Sequence, residues 1–514
     1  MAYPRIYNAA ADMVDRHIAD GRAGKAAFID PNGTLTYGAL ADGCNRMGNL
    51  LTALGIGREA RIAVLMLDTN DCPVVFWGAI KAGVVPVLLN TLLNGEQYAY
   101  MLADSRAKAL VVSAQLLPVV QPILGTLPFL THVFVSGGDA PPFAFDLSRE
   151  LADQSPQLAA AETCGDETAF WLYSSGSTGV SKGVRHVHTS LMETARLYGQ
   201  GVLGIGESDV GFSAAKLFFA YGLGNAMSFP MSVGATTILL PERPTPEAVF
   251  RTLGTHQPTL FYGVPTLYAA MLASPQASPG HTLARLRQCI SAGEALPAEV
   301  GKAWKAKFGV DILDGVGSTE MLHIYVSNRP DDVNYGTSGR PVPGYDIRLV
   351  DEQGAPVADG EVGEMLVRGI SAADGYWNQR ERSRRTFEGE WTRSGDKYTR
   401  DAQGYYTYQG RTDDMFKVSG IWVSPFEVES ALIGHEAVLE AAVVPKEDAD
   451  GLLKPKAFVV LKPGRISDSS LTPALQEHVK SKAGPWKYPR WIEFTDNLPK
   501  TATGKIQRFK LRDL

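Results

Sequence analysis

Cysteine is scarce in this sequence, and no two cysteines lie close together. The 514 residues contain four, namely Cys44, Cys72, Cys164 and Cys289, and none of them forms a CxxC pair. Neither a zinc site nor a disulfide framework is therefore predicted. Because reduced thiols are typical of cytosolic proteins, we predict a cytoplasmic location.

Long apolar runs and an excess of positive charge are missing as well. No stretch approaches the roughly 18 apolar residues of a membrane span, and residues 1–17 carry charge where a signal peptide needs an apolar core. Lysine and arginine number 49 against 55 acidic residues, whereas proteins that bind nucleic acid carry a basic surplus. We therefore expect neither a membrane nor a nucleic acid as a partner. With 45% hydrophobic and 20% charged residues, the composition is that of a soluble globular protein.

What the sequence does contain is a series of short apolar runs between helix-like segments, from about residue 60 to residue 320. Runs such as RIAVLML, VVPVLLN and TAFWLYSSG are typical of buried parallel strands, so we predict an α/β architecture of doubly wound sheets. After about Tyr335, alternating runs broken by glycine, such as GEMLVRG and GYYTYQGR, predict a smaller antiparallel, barrel-like sheet. In the last part of the chain, KAFVVLK and RWIEFTD flank helix-like segments and predict a small α+β domain.

The segment with the most chemical information is YSSGSTGVSKGV, from Tyr173 to Val184, which follows a predicted strand. Its glycines let backbone N–H groups turn inward, its hydroxyls add donors, and its lysine balances a polyanion, as a phosphate-binding loop requires. On composition alone, a flexible Gly/Ser linker explains it equally well. The segment is neither a Walker A loop nor GxGxxG, so ordinary P-loop and Rossmann interpretations are disfavoured.

Polar residues also follow other predicted strands. In DGVGSTE, Thr319 and Glu320 lie where open α/β sheets usually bind ligands, and Glu320 is a candidate ligand for Mg2+. A helix cap with an acid in the first turn is an equally good explanation. Asp396, Arg411 and Lys505 lie in the segments SGD, GRTDD and PKTATGK, each of which alone would be interpreted as a turn or a solvated surface.

Seven such segments occur in order over more than 300 residues, namely YSSGSTGVSKGV, SAGEAL, GVGSTE, SGD, GRTDD, KVSG and PKTATGK. Together they resemble the adenylate-forming superfamily of acyl-CoA synthetases, nonribosomal adenylation domains and luciferases, over essentially the whole chain. The resemblance implies an N-terminal domain of residues 1–412 that binds ATP and the acyl group. It also implies a mobile C-terminal domain of residues 413–514 that carries the catalytic lysine.

The resemblance further implies a role for each residue that matches a motif. The residues expected to bind ATP or AMP are Ser174, Ser175, Gly176, Ser177, Thr178, Gly179, Lys182, Gly293, Glu294, Asp396 and Arg411. Those expected to act in catalysis are Lys505, Thr319 and Glu320, with Glu320 also holding Mg2+. Asp413 matches the hinge about which the C-terminal domain rotates to admit CoA, and Lys417, Gly420 and Trp422 are candidates for CoA binding.

Two residues depart from the superfamily's pattern. Ser181 stands where the phosphate loop usually has proline, which predicts a less stiff loop. Val316 replaces the aromatic residue that usually precedes GxTE. Neither change removes a charged group, so we expect activity to survive and the acyl pocket to be altered.

The segment SAAKLFFAYGLGNA falls where this superfamily lines its acyl pocket. It contains no carboxylate, which disfavours an amino-acid substrate because the ammonium group would lack a partner. The residues expected to form a slot for a flat ring are Phe219, Ala220, Tyr221, Tyr262, Gly263, Val264, Val316, Gly317 and His323. Without the family register, ordinary core packing of these rings is the better explanation. His323, one helical turn beyond Glu320, either faces the substrate ring or is a partly exposed histidine.

Longer stretches, including AKLFFAYGLGNA and RTDDMFKVSGIWVSPFEVE, look like the benzoate-CoA ligase branch, and the N-terminal stretch looks closer to 4-hydroxybenzoate-CoA ligases. The implied reaction converts benzoate or a hydroxybenzoate, ATP and CoA to aryl-CoA, AMP and pyrophosphate. Two alternatives are an enzyme that loads an aryl acid onto a carrier protein and a non-catalytic adenylate-binding protein. The sequence does not rank ring substituents, since selectivity among them depends on small packing differences.

Two expectations about partners complete the sequence-based hypothesis. The sequence leaves a homodimer open. Acetylation of Lys505 would remove the charge on which adenylation depends, so a lysine acetyltransferase and a deacetylase are candidate partners.

Overall fold

A computed structural model describes residues 3–174, 181–277, 283–412, 414–418, 421–448, 452–484, 486–500 and 506–512. The strands of these residues, β1 to β27 in chain order, are Ala26–Asp30, Gly33–Thr36, Arg61–Leu65, Val85–Leu88, Ala109–Ser113, His132–Ser136, Phe145–Asp146, Thr168–Ser174, Lys182–Val187, Val210–Ser213, Thr236–Ile238, Leu260–Gly263, Gln288–Ser291, Ile312–Gly317, Ile324–Ser327, Arg340–Pro341, Asp346–Val350, Gly363–Arg368, Gly375–Tyr376, Phe387–Glu388, Trp391–Arg400, Tyr406–Arg411, Phe416–Val418, Ile421–Val423, Val438–Glu447, Leu453–Leu461 and Trp491–Phe494.

The α-helices, α1 to α16, are Arg16–Ala19, Tyr37–Ala53, Asp71–Lys81, Gly95–Ser105, Leu117–Val120, Leu147–Ala152, His188–Thr194, Ala220–Leu223, Phe229–Val233, Pro246–His256, Pro265–Ala273, Ala298–Phe308, Arg380–Thr386, Pro425–Ile433, Leu471–Ala483 and Phe509–Arg512. Across the part of the chain that the structure describes, none of the helices is long and apolar enough to cross a membrane.

Two large sheets form most of the N-terminal part. The first has the order β19-β9-β8-β4-β3-β5-β6-β7 and is parallel from β8 to β7. The second has the order β16-β15-β14-β13-β12-β10-β11-β1-β2 and is parallel from β14 to β1. The predicted doubly wound α/β architecture is confirmed, and the antiparallel strands lie at the sheet edges.

Helix α3 shows how the two sheets share one core. Every residue from Cys72 to Lys81 is buried, as expected for a helix that is apolar on all sides. The core around it joins Ile62 and Phe170 of the first sheet to Phe28 of the second. Lys81 is the one charged residue among these buried residues, and its ammonium donates to Asp15 at 2.7 Å and to Asn45 at 2.6 Å.

The predicted antiparallel sheet is confirmed by five strands in the order β17-β18-β21-β20, with β22 paired to β21. Its inner face packs Met365 and Tyr398 against the second large sheet. The C-terminal part is the predicted α+β unit. There, β25, β26 and β27 form a sheet, and Val443, Val459 and Leu475 share a core of their own.

Candidate active site

A cavity of about 590 Å3 lies between the large sheets, the antiparallel sheet and the C-terminal part. The predicted site residues that line it are Ser174, Lys182, Gly293, Glu294, Val316, Gly317, Thr319, Glu320, Asp396 and Arg411. Most of them lie at or just beyond the carboxyl ends of β8, β13 and β14, where parallel sheets present loops to ligands. Glu429, Ile506 and Arg508 of the C-terminal part also line the cavity.

Glu320 lies in a compact charged group with Lys182 and Tyr376. The Lys182 ammonium is 3.1 Å from Glu320 Oε1 and donates to the Tyr376 hydroxyl at 2.8 Å, while that hydroxyl donates to Glu320 Oε1 at 2.8 Å. Burial raises the pKa of Glu320, but the Lys182 ammonium and the Tyr376 hydroxyl outweigh it and hold the pKa below its ordinary value. Glu320 is therefore an ionised carboxylate on the cavity wall.

Tyr376 is a site residue that the sequence analysis missed. It reaches Glu320 because β19 pairs with β9, where Tyr376 is opposite Val184. Burial, and then the charge of Glu320, raise the pKa of Tyr376. Its hydroxyl therefore stays protonated and donates a hydrogen bond to Glu320. No local pattern around GYW indicates this contact, which depends on the pairing of strands far apart in the chain.

His186 is a second missed residue, and it supports Thr319. Its Nε2 lies 2.8 Å from the Thr319 carbonyl oxygen, and its ring stacks on Phe170 with centroids 5.2 Å apart. Burial lowers the pKa of His186 to about 4, so the neutral ring donates from Nε2 to that carbonyl. The carboxyl end of β14 is thereby held against β9, which also carries Lys182.

Asp396 and Arg411 are opposite one another on β21 and β22. Arg411 donates to Asp396 Oδ1 and to the Ser394 carbonyl oxygen, each at 3.2 Å. Gly395 between them has φ of 73°, a left-handed conformation that favours glycine, and a Cβ there would lie 2.9 Å from the Arg411 guanidinium and displace it. An acceptor at this wall suits the hydroxyls of a ribose, which agrees with the ATP or AMP contact that the resemblance implies for Asp396.

Helix α4 anchors the flanks of the predicted phosphate loop. Tyr100 on this helix donates its hydroxyl to the Ser181 carbonyl oxygen at 3.1 Å, just after the loop. On the other flank, the Tyr173 hydroxyl donates to Asp104 of the same helix at 2.7 Å. Since Ser181 replaces the family's usual proline, these two contacts supply a constraint that the sequence alone does not indicate.

Replacement of Tyr100 by phenylalanine should therefore raise the KM for ATP about three- to tenfold, the effect of one lost hydrogen bond. Adding Ser181→Pro to Tyr100→Phe should restore most of the affinity, because the proline ring fixes φ. Steady-state kinetics with varied ATP would measure both effects.

Tyr98→Phe is the matched control, since Tyr98 lies on the same helix and donates to the Asn90 carbonyl oxygen at 2.8 Å. It should leave the KM for ATP unchanged. Failure of Ser181→Pro to improve the Tyr100→Phe variant would contradict the anchoring role.

The predicted acyl-pocket residues divide into two groups. Val316 and Gly317 line the cavity, whereas, within the described ranges, Phe219, Ala220, Tyr221, Tyr262, Gly263, Val264 and His323 do not. Within the second group, His323 lies next to Gly317, because a Cβ on Gly317 would be 2.6 Å from the His323 carbonyl oxygen. Tyr221 and Tyr262 meet edge to face with centroids 6.4 Å apart.

His323 is 3% exposed and lies among aromatic rings, with centroid distances of 4.4 Å to Phe229 and 5.6 Å to Tyr221. Burial lowers its pKa to about 3, so the ring is neutral. The expectation that His323 lies one helical turn beyond Glu320 is wrong. Glu320 lies in a turn, Leu322 has φ of 68°, and β15 begins at Ile324.

Several predicted residues lie outside the described residues, namely Ser175, Gly176, Ser177, Thr178, Gly179, Asp413, Gly420 and Lys505. Lys417 and Trp422 are opposite one another in the β23–β24 hairpin, and only their backbone is described.

Comparison with known proteins agrees with this geometry. Residues 15–377 match the family model described as AMP-binding enzyme, and residues 427–505 match the model of its C-terminal domain. The chain is 57% identical to a 4-hydroxybenzoate-CoA/benzoate-CoA ligase of Rhodopseudomonas palustris, over 99% of this chain and 94% of the other. It is 58% identical to a benzoate-CoA ligase of Thauera aromatica, over 99% and 96% of the two chains.

A solved structure gives the same picture. The crystal structure of the anthranilate CoA ligase AuaEII in complex with anthranoyl-AMP is 45% identical, with a TM-score of 0.96 over 99% of this chain and 98% of that one. With a cavity built from the predicted motifs and both family models matched in order, the chain belongs to the family of AMP-binding enzymes.

Proposed function

We propose that this protein is an AMP-forming aryl-CoA ligase, acting on benzoate or a hydroxybenzoate with ATP and CoA. The observation that carries the proposal is that one cavity joins Lys182 and Glu320, Asp396 and Arg411, and residues of the C-terminal part. Identity of 57% and 58% over nearly the full length to ligases for benzoate and 4-hydroxybenzoate supports the same substrate class.

The proposed reaction has two steps. A carboxylate oxygen of the aryl acid attacks the α-phosphorus of ATP, and the bond to pyrophosphate breaks to leave aryl-AMP. The sulfur of CoA then attacks the acyl carbonyl, the thiol loses its proton, and AMP departs. In the first step Lys182 and Lys505 would stabilise negative charge on the transferring group, and Asp396 would orient the ribose.

The site fits Mg2+. Glu320 is an ionised carboxylate on the cavity wall with Thr319 beside it, and Mg2+ is usually held by one or two carboxylates together with substrate phosphates. Among the described residues, no group of three or more His, Cys, Asp or Glu side chains could hold a metal by itself. Bound there, Mg2+ would neutralise phosphate charge, with Glu320 and Thr319 as its protein partners.

His323 favours a ring that carries a hydrogen-bond donor. Its Nε2 is 3.2 Å from the Tyr221 carbonyl oxygen and 3.1 Å from Asn225 Oδ1. Because a carbonyl oxygen only accepts, Nε2 carries the proton and Nδ1 keeps its lone pair. That buried Nδ1 has no hydrogen-bond partner among the described residues. We infer that a hydroxyl on the substrate ring supplies the missing donor when the acyl pocket extends to His323, which does not line the cavity in this structure. This predicts a preference for a hydroxybenzoate over benzoate.

His323→Phe tests this preference, since it keeps an aromatic ring and removes the Nδ1 acceptor, together with the Nε2 donor to Tyr221 and Asn225. The ratio of kcat/KM for the best hydroxybenzoate to that for benzoate should fall about tenfold, the value of one buried hydrogen bond. Competition assays with both acids would measure the ratio directly. An unchanged ratio would show that Nδ1 does not contact the substrate.

The experiment that tests the function is pyrophosphate release with ATP and Mg2+, with and without CoA. The acids would be benzoate, its hydroxy, amino and halo derivatives, cyclohexanecarboxylate and short fatty acids. Release that CoA stimulates with an aromatic acid would support the proposal. A requirement for a phosphopantetheinyl carrier protein would favour the carrier-loading alternative, and absence of turnover would favour a non-catalytic role.

Other features remain part of the proposal. They are a domain boundary between residues 412 and 413, Asp413 as the hinge, CoA contacts from Lys417, Gly420 and Trp422, and phosphate contacts from residues 175–179. A cytoplasmic location and control by acetylation of Lys505 are proposed on the sequence-based reasoning alone, which leaves a homodimer open.

A further inference from the structure

A buried ion pair connects the two large sheets beside the predicted acyl pocket. Asp68 follows β3 of the first sheet, and Lys216 follows β10 of the second. Their side chains are 5% and 13% exposed, and Nζ lies 3.9 Å from Asp68 Oδ2. We call these two residues the inter-sheet pair.

Each member of the inter-sheet pair also holds main-chain atoms. The Lys216 ammonium donates to the carbonyl oxygens of Leu240 and Glu242, which follow β11. Asp68 Oδ1 accepts from the Leu217 N–H at 3.3 Å. Residue 216 is thereby tied to the segment after β11 of the second sheet, and residue 217 to Asp68 of the first sheet.

The fixed residues lead directly into the predicted acyl-pocket wall. The Phe219 N–H donates to the Lys216 carbonyl oxygen at 3.0 Å, and α8 begins at Ala220. Gly222 packs so closely on this turn that a Cβ there would lie 2.0 Å from the same carbonyl oxygen. A displacement of Lys216 would therefore be transmitted to Phe219, Ala220 and Tyr221.

A contribution to the stability of the fold does not explain the inter-sheet pair. Burial raises the pKa of Asp68 to about 6, against the opposing effects of Lys216 and the Leu217 N–H, and burial lowers the pKa of Lys216. Both charged forms therefore lose solvation in the folded protein. Since replacing a buried ion pair by neutral side chains of similar shape is often neutral or stabilising, a role in positioning is the better explanation.

We propose that Asp68 and Lys216 are positioning residues that set the acyl-pocket wall and so determine the KM for the aryl acid. The inference rests on the proposed function. Neither residue lines the cavity, so both would act through Phe219, Ala220 and Tyr221.

The test uses three variants, Asp68→Asn, Lys216→Met and the double variant Asp68→Asn/Lys216→Met. The matched control is Lys81→Met, because Lys81 is 3% exposed and pairs with Asp15 at 2.7 Å in a different part of the fold. For each protein, Tm would be measured, together with the KM for ATP and for the aromatic acid that the wild type uses best.

The single variants should lower Tm, since each leaves a buried charge without its partner. They should raise the KM for the aryl acid about ten- to a hundredfold while the KM for ATP stays within about twofold. The double variant should recover most of the Tm and keep the raised KM. Lys81→Met should lower Tm without changing the KM for the aryl acid.

Two results would overturn the inference. One is a KM for the aryl acid that follows Tm in every variant, including Lys81→Met, and the other is a wild-type KM in the double variant. By contrast, a wild type that turns over no aryl acid would contradict the proposed function itself, so the two failures are distinguishable.

Discussion

Replacing Lys505 by alanine is expected to abolish adenylation while sparing formation of the thioester from supplied aryl-AMP. The attacking carboxylate adds negative charge to the α-phosphate, and a fixed ammonium stabilises that charge most in the transition state. Removal of one such preorganised group lowers the rate about a hundred- to a thousandfold. In the second step the phosphate is a leaving group, and the resemblance implies that the C-terminal domain has then rotated Lys505 away.

The measurement needs both half-reactions. ATP–pyrophosphate exchange with the aryl acid reports adenylation, and aryl-CoA formation from synthetic aryl-AMP and CoA reports the second step. Lys500→Ala is a matched control, because Lys500 lies in the same segment and its ammonium pairs with Glu440 at 2.6 Å. Equal loss of both half-reactions in Lys505→Ala would contradict the assigned role.

Glu320→Gln should have the second largest effect, lowering the adenylation rate about a hundredfold or more. The substitution preserves shape but replaces the negatively charged carboxylate, the usual protein ligand of Mg2+, by a neutral amide. It also leaves the Lys182 ammonium without its ionic partner at 3.1 Å. The concentration of Mg2+ needed for half-maximal adenylation should rise, and high Mg2+ should restore part of the activity.

Tyr376→Phe separates positioning from charge at the same site. Glu320 keeps its charge in this variant but loses the hydroxyl that donates to Oε1, so a loss of about ten- to a hundredfold is expected. Measuring the adenylation rate against Mg2+ concentration in both variants would show which of them loses more activity. A Mg2+ requirement unchanged in Glu320→Gln would exclude Glu320 as the metal ligand.

The central strands and the residues at their ends could be predicted from the sequence. Buried parallel strands are continuous apolar runs, so β3, β4 and β8 were recognisable, and Thr319 and Glu320 follow β14 as expected. Tyr376 and His186 could not be predicted, because they reach Glu320 and Thr319 through the pairing of β9 with β19 and through packing against β14. The Tyr376–Glu320 contact joins residues 56 positions apart and the His186–Thr319 contact residues 133 positions apart, and neither leaves a local pattern.

The acyl pocket shows a second limit of sequence-based reasoning. The rings of Tyr221, Tyr262 and His323 do lie close together. However, the position of the His323 proton depends on the Tyr221 carbonyl oxygen, a main-chain atom that no side-chain pattern indicates. Leu322 adopts a left-handed conformation, which is rare for a residue with a branched side chain. This conformation prevents a helix beyond Glu320, and the sequence gives no sign of it.

The arrangement of the hydrophobic cores has a consequence for how the chain resists unfolding. The core around α3 contains residues of both large sheets, so neither sheet can lose its packing without the other. Val443, Val459 and Leu475 belong to a separate core made only of residues from Phe416 onward. The chain is therefore expected to unfold as two cooperative units, which meet near the end of β22. This separate core supports the prediction that the C-terminal part moves as one unit while the part that contains Glu320 and Asp396 stays folded.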